Sequence, residues 1–92
     1  MRTVYKYPVE INELFTIELP EDAEILDVQL QGNYPTLWAL LDTESPTVKR
    51  VFRLAGTGHP IPSIEILEHI GTFQMAGGTL VWHVFELMGA KK

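Results

Sequence analysis

Alternation of apolar and polar residues runs through most of this chain and limits its fold more than any other feature. In Glu24–Gln31, Leu26, Val28 and Leu30 alternate with polar residues, which is the spacing of a β-strand with one buried face. We therefore expect these three side chains to point into a core, and the polar residues between them to face solvent.

The same reasoning predicts strands along the rest of the chain. They are Thr3–Val9, Phe15–Leu19, Glu24–Gln31, Thr36–Asp42, Thr47–Ala55, Ile70–Met75 and Thr79–Leu87. Gly32-Asn33 and Gly77-Gly78 have the composition of hairpin turns. The three strands between Glu24 and Ala55 are expected to pair in sequence order as a meander. The prediction is an all-β or nearly all-β domain over residues 1–92, with six to seven short antiparallel strands in a small sandwich or open barrel and at most one short helix.

The alternation pattern does not assign the secondary structure of two further segments. Gly56–Ser63 contains two glycines and two prolines, so it continues neither a strand nor a helix. The following segment, Ile64–His69, fits a short helix capped by Ser63 or a strand, and six residues do not decide between them. The tail Met88–Lys92 is expected to be frayed.

The last predicted strand, Thr79–Leu87, is apolar on both faces. Such a strand is central and covered on both sides, or it is covered once by its own core and once by a partner chain. Thr36–Asp42 shows the same pattern, with Trp38 and Leu40 opposite its other apolar residues. Because so small a domain has little material to cover both faces, we expect a homo-oligomer. The alternative is a monomeric two-sheet sandwich that covers these faces itself.

The composition argues against several function classes. Seven Lys and Arg against twelve Asp and Glu give a net charge of −5, which disfavours binding to duplex DNA. The chain has no cysteine, so disulfides and thiolate chemistry are excluded. The longest purely apolar run, Leu37–Leu41, is too short to cross a membrane. Met1–Pro8 holds no apolar stretch of signal-peptide length, and we therefore expect a cytoplasmic protein with no membrane partner.

Nothing in the sequence predicts catalysis, a metal or a cofactor. Ser45 and Ser63 lie in proline-flanked turns without a nearby histidine, and no nucleophile motif is present. The three histidines, His59, His69 and His83, lack the spacing of local zinc sites. The expectation is a protein that is not an enzyme, with no catalytic residues, no metal and no cofactor.

The loop Gly56–Pro60 is the best candidate for a ligand site. Glycines let backbone amides approach a ligand closely, Thr57 adds a hydroxyl, and His59 adds a donor that can switch. Arg53 precedes the loop, where its guanidinium could clamp a phosphate. The simpler alternative is a tight strand exit in which His59 caps the turn.

Residues of the last hairpin complete the predicted site. Phe73 and Gln74 would lie at a pocket rim, where the amide can bond a base edge. Trp82 offers a stacking surface, and for His83 the alternative is a hydrogen-bonded histidine in the core or an interface. The predicted ligand-binding residues are Arg53, Thr57, Gly58, His59, Phe73, Gln74, Trp82 and His83.

Several strings of the sequence are shared with a known group. They are I-E-L-P and A-E-I-L-D-V-Q-L-Q within Ile17–Gln31, L-W-A-L-L-D at Leu37–Asp42, F-R-L-A-G-T-G-H-P-I at Phe52–Ile61, and I-G-T-F-Q-M-A-G-G-T-L-V-W-H-V-F-E at Ile70–Glu86. On these strings the chain resembles a large family of short phage and prophage proteins, and it is similar to the anti-CBASS viral sponges.

The resemblance implies a phage-encoded accessory protein in the cytoplasm of a bacterial host. It also implies a non-enzymatic oligomer that sequesters a cyclic-nucleotide immune signal. The main alternative is a protein–protein inhibitor or adaptor that binds a host protein. A structural component of the virion and a phosphodiesterase-like enzyme are further alternatives.

Overall fold

Seven strands arranged in two antiparallel sheets make up the fold. The computed structural model describes residues 1–90. The strands are β1 (Arg2–Pro8), β2 (Leu14–Pro20), β3 (Glu24–Gln31), β4 (Tyr34–Asp42), β5 (Thr47–Gly56), β6 (Glu65–Met75) and β7 (Leu80–Ala90), with one 3-10 turn at Ala76–Gly78. One sheet has the order β1-β4-β3 and the other β2-β5-β7-β6. This sandwich-like architecture confirms the predicted all-β class.

The core lies between the two sheets and follows the predicted alternation in most strands. Its main residues are Phe15, Ile17 and Leu19 of β2, Leu37, Ala39 and Leu41 of β4, and Phe52 and Leu54 of β5. Leu19, Leu37 and Phe52 are fully buried. The two sheets are close together at Gly71 of β6, where an added Cβ would lie 3.3 Å from Val28 Cγ1 of β3.

The predicted meander is wrong. β3 and β4 pair as a hairpin through Gly32-Asn33, but β5 lies in the other sheet, between β2 and β7. The reason is that β4 already pairs with β1 on its second edge, so it offers no edge to β5. Adjacency of consecutive strands is a tendency that long-range pairing overrides.

A β-bulge in β3 reverses the orientation expected for Leu26. The register shifts between Ile25 and Asp27, so Ile25 packs against the core while Leu26 is 48% exposed. Asp27 Oδ1 accepts a hydrogen bond from the amide of Val28 at 2.8 Å. One extra residue in a strand is enough to exchange the faces on either side of it.

The C-terminal hairpin is longer than the sequence predicts. Of the segment Ile64–His69, Glu65–His69 belongs to β6 and Ile64 lies in the turn before it, which excludes the helix alternative. β7 continues to Ala90, so the predicted fraying is wrong for Met88–Ala90, and residues 91–92 lie outside the described part. The two extensions support each other, since Glu65 pairs with Ala90. β7 lies between β5 and β6, which agrees with the central position, one of the two alternatives that its apolar faces left open.

An ion pair is buried at one end of the sandwich. Arg50 of β5 donates from Nε and Nη2 to the two carboxylate oxygens of Glu86 of β7, both at 2.7 Å. Its Nη1 donates to the carbonyl oxygens of Ala23 at 2.8 Å and Pro20 at 3.1 Å. The hydrogen bonds that Arg50 donates to Glu86 raise the pKa of Arg50. This pair ties the central strands to the connection between β2 and β3.

The connection between β5 and β6 positions the candidate site. Both strands are antiparallel to β7, which lies between them, so β5 and β6 run in the same direction. Residues 57–64 therefore have to span β7 from one end of the sheet to the other, and they bring the Gly/Pro-rich loop to Trp82 and His83. Within residues 1–90 no helix is long and apolar enough to cross a membrane.

Candidate functional site

A tight turn after β5 places His59 against Trp82. The amide of His59 donates to the carbonyl of Gly56 at 2.9 Å, and the amide of Thr57 donates to Val81 at 3.2 Å. Gly58 has a φ of +84°, a conformation that glycine adopts without strain. The ring of His59 then meets the indole of Trp82 edge-on, with centroids 6.1 Å apart.

The rings of His59 and Trp82 separate two clefts. The Arg53 cleft, of about 240 Å³, is lined by residues 11–13, 53–55, 59–60 and Trp82. The Thr57 cleft, of about 170 Å³, is lined by residues 56–57, His59 and residues 79–82. Both clefts lie on a single chain, and both depend on the position of the His59 ring.

Arg53 is held by the carboxylate of Glu65, which is not itself part of the cleft lining. Its Nε donates to Glu65 Oε1 at 2.9 Å, and its Nη2 donates to Glu65 Oε2. The remaining contact, from Nη1 to the carbonyl oxygen of Glu13, is long at 3.5 Å. The hydrogen bond raises the pKa of Arg53 and lowers the pKa of Glu65. One side of the guanidinium is thus occupied, and Nη1 is the side with donors to spare.

The indole nitrogen of Trp82 is a buried donor that lacks an acceptor. Among residues 1–90, its Nε1 is the one buried side-chain nitrogen or oxygen without a hydrogen-bond partner. Leaving such a group unsatisfied costs about 1–3 kcal/mol. Trp82 lines both clefts, but its Nε1 is covered, so an acceptor atom of a ligand would remove that cost only after the groups over the nitrogen move aside.

His83 is part of a hydrogen-bonded chain on the outer face of the four-stranded sheet. Its Nε2 lies 2.7 Å from Thr57 Oγ1 and its Nδ1 lies 3.0 Å from Thr72 Oγ1. Thr72 Oγ1 in turn lies 3.2 Å from His69 Nε2. Thr57 and His83 are as close as a nucleophile and its base, but Nδ1 faces a hydroxyl rather than the carboxylate that stabilises an imidazolium in hydrolases. The described residues contain no group of three or more His, Asp or Glu side chains that could hold a metal ion.

The structure brings together part of the predicted set. Arg53, His59 and Trp82 line one cleft. Thr57 lines the neighbouring cleft and bonds His83, and Gly58 forms the turn. Phe73 is 4% exposed in the core, so it cannot touch a ligand at a rim. Gln74 is exposed, with its Oε1 close to Gly78, outside both linings.

Sequence reasoning missed Glu65 and residues 11–13. A strand that contains an arginine between apolar residues, as in V-F-R-L-A, signals that a carboxylate is near, because charged side chains are rarely buried unpaired. That signal does not say which carboxylate is near. Only the crossing of β7 by residues 57–64 explains why the partner is Glu65.

Substituting Gly56→Ala is expected to move the His59 ring away from Trp82. An added Cβ would lie 2.8 Å from His59 Cε1, and the exposed ring can yield while the backbone stays in place. The ring protons of His59 should lose the ring-current shift caused by the indole, as measured by NMR, with those of His69 and His83 as internal controls. The free energy of unfolding should change by less than about 1 kcal/mol. Unchanged His59 shifts would show that the ring does not rest where the structure has it.

Comparison with known proteins identifies a family. A family model described as "Domain of unknown function (DUF7352)" matches residues 1–92. No curated protein and no solved structure matches the chain.

Proposed function

The chain belongs to the DUF7352 family, and we propose that it is a non-enzymatic binding protein that holds a small nucleotide in the Arg53 cleft. The observation that carries the proposal is the unpaired indole donor of Trp82, whose ring lines the cleft that also contains the guanidinium of Arg53. A ligand with a ring and several acceptor atoms would bond Arg53 directly, and would bond the indole nitrogen once the groups that cover it move aside.

The polar groups of the cleft suit a ligand that carries little net charge. Glu65 neutralises Arg53, so the cleft attracts a phosphate less strongly than a free arginine would. Nη1 is held only by the 3.5 Å contact with Glu13, and a phosphate or carbonyl oxygen of the ligand can replace that contact. The ion pair meanwhile holds the guanidinium in one orientation, which lowers the entropy cost of binding.

The size of the cleft limits what one chain can hold. About 240 Å³ is just below the range of about 300–1,000 Å³ that is typical of small-molecule sites. That volume accommodates one nucleotide unit, with its base against the rings of His59 and Trp82. A cyclic dinucleotide or trinucleotide would place one of its units in the cleft and leave the others outside.

The sequence resemblance supports a biological role for such binding. A phage-encoded accessory protein that sequesters a cyclic-nucleotide immune signal in the cytoplasm of its bacterial host needs affinity and no turnover. The pairing of His83 with two hydroxyls, rather than with a carboxylate, is consistent with binding that leaves the ligand intact.

Trp82→Phe should weaken nucleotide binding about tenfold, because the change removes the indole donor while keeping an aromatic ring. The same substitution should leave the free energy of unfolding unchanged or raise it by up to about 1 kcal/mol, since a buried unsatisfied donor is lost. Isothermal titration calorimetry with 5′-mononucleotides and a panel of cyclic di- and trinucleotides measures the first effect. Chemical denaturation measures the second.

Trp38→Phe is the matched control, because Trp38 lies in the other sheet and should not alter binding. Nucleotide recovered after denaturation should be chemically unchanged by chromatography. If the wild-type protein takes up no member of the panel at millimolar concentration, or if it converts the ligand to product, the proposed function is wrong.

A further inference from the structure

The outer face of the three-stranded sheet carries an apolar stripe. β4 lies in the middle of this sheet and points Trp38 and Leu40 away from the core. Val4 of β1 lies beside Leu40 in register and is 46% exposed, and the bulge turns Leu26 outward with 48% exposure. We call the surface formed by Val4, Leu26, Trp38 and Leu40 the Trp38 face.

Charges of opposite sign border the Trp38 face on its two sides. At outward positions, β1 carries the cations Arg2 and Lys6, while β3 carries the anions Glu24 and Asp27. The register sets them in a row, since Lys6 and Asp27 both pair with Trp38 from opposite edges. The outward positions of β1 are therefore basic, those of β3 are acidic, and the centre is apolar. Within one copy Lys6 Nζ donates across β4 to Gln31 Oε1 of β3 at 2.7 Å, a contact that Asp27 of a second copy would replace.

This pattern is complementary to itself. We propose that the Trp38 face binds a second copy of this chain, related by a twofold axis parallel to β4. Such an axis exchanges left and right, so the basic β1 of one copy lies over the acidic β3 of the other. Trp38 and Leu40 of the two copies then meet at the centre. Sheets that pack face to face within about 30° of parallel are a common arrangement.

The area of the face sets the strength of the dimer. Three strands about 4.8 Å apart, each with up to nine residues at about 3.4 Å per residue, present roughly 400 Å² per chain. This is about half of the roughly 800 Å² per partner that a standard specific complex buries. The dimer should therefore be weak and should form only as the protein concentration rises. The Arg53 cleft is in the other sheet, so this dimer does not depend on the proposed function.

A pair of matched substitutions tests the surface. Val4→Glu places a carboxylate on the Trp38 face, whereas Val48→Glu makes the same change at a residue of β5 with 41% exposure. Sedimentation velocity should show wild-type protein shifting from 10.4 kDa to twice that mass as its concentration rises. Val4→Glu should raise the dissociation constant at least about tenfold, and Val48→Glu should leave it unchanged.

Charge reversal tests the axis. Lys6→Glu sets a carboxylate against Asp27 of the other copy, and Asp27→Lys sets an ammonium against Lys6 of the other copy, so each variant alone should dimerise less than wild type. An equimolar mixture of the two should recover dimers, because each edge then meets one of opposite sign. Circular dichroism confirms that both variants are folded. Wild-type protein that remains monomeric to about 1 mM, equal effects of the two valine substitutions, or a mixture that forms no dimers would overturn the proposal.

Discussion

Glu86→Ala is expected to lower the free energy of unfolding by about 3–5 kcal/mol, which is a large share of what a domain of this size has. The substitution leaves the guanidinium of Arg50 buried without its bidentate partner. The side chains of Arg50 and Glu86 are only 14% and 10% exposed, so water cannot replace the lost contacts. The two carbonyl oxygens that Arg50 also reaches satisfy Nη1 alone.

Urea denaturation followed by circular dichroism measures this loss. Glu68→Ala is the matched control, because Glu68 pairs in register with Glu86 but is exposed, and it should change stability by less than about 0.5 kcal/mol. The double variant Arg50→Met with Glu86→Leu should cost less than Glu86→Ala alone, because no charge is left unpaired. A loss below about 1 kcal/mol for Glu86→Ala would mean that the ion pair is open to water.

Glu65→Gln is expected to tighten the binding of a phosphate-bearing nucleotide by about tenfold or more. The amide keeps the shape of the carboxylate but carries no charge, so the positive charge of Arg53 is no longer neutralised inside the cleft. Arg53→Ala should abolish the gain and weaken binding below the wild-type level. Titration calorimetry of a 5′-mononucleotide against its nucleoside separates the phosphate contribution from that of the base. Equal affinities of wild type and Glu65→Gln for the nucleotide would show that Arg53 does not contact the ligand.

The same substitution has a pH-dependent effect on stability. Arg53 lowers the pKa of Glu65 in the folded protein, so the ion pair contributes its full stabilisation above the unfolded value, near pH 4.3. That contribution disappears as the pH falls through the lower folded value. The difference in unfolding free energy between wild type and Glu65→Gln should therefore be constant near neutral pH and shrink below about pH 4. A difference that persists at pH 2 would have another origin.

Local patterns in the sequence predicted much of the fold, and long-range pairings account for what was missed. Phe15, Ile17 and Leu19 alternate without interruption, so the buried face of β2 follows directly. Leu26 was misplaced because one inserted residue moves a side chain to the other face without any change in composition. The sheet to which β5 belongs depends on which strand edges are free, and no pattern within Thr47–Gly56 records that.

The candidate site was predictable only where a single segment carries it. The glycines and prolines after Ala55 indicate a loop on their own. Arg53 precedes this loop in sequence, and His59 lies within it. The contact with Trp82 needs β5 and β7 to be neighbours. The burial of Phe73 needs the outward and inward faces of β6 to be known, and the irregularity between His69 and Gly71 hides them from an alternation pattern.

The Arg53 cleft takes its walls from residues 11–13, from β5 and from β7, which are joined only by pairings between distant parts of the chain. No fragment that lacks one of these elements contains the cleft, and no state in which they have separated keeps it. A molecule that occupies the cleft therefore stabilises the folded protein against such separation, and at a hundred times its dissociation constant it would add about 2.7 kcal/mol to stability. The binding of such a molecule therefore raises the melting temperature. A thermal-shift screen can rank compounds by that rise without an assay for activity.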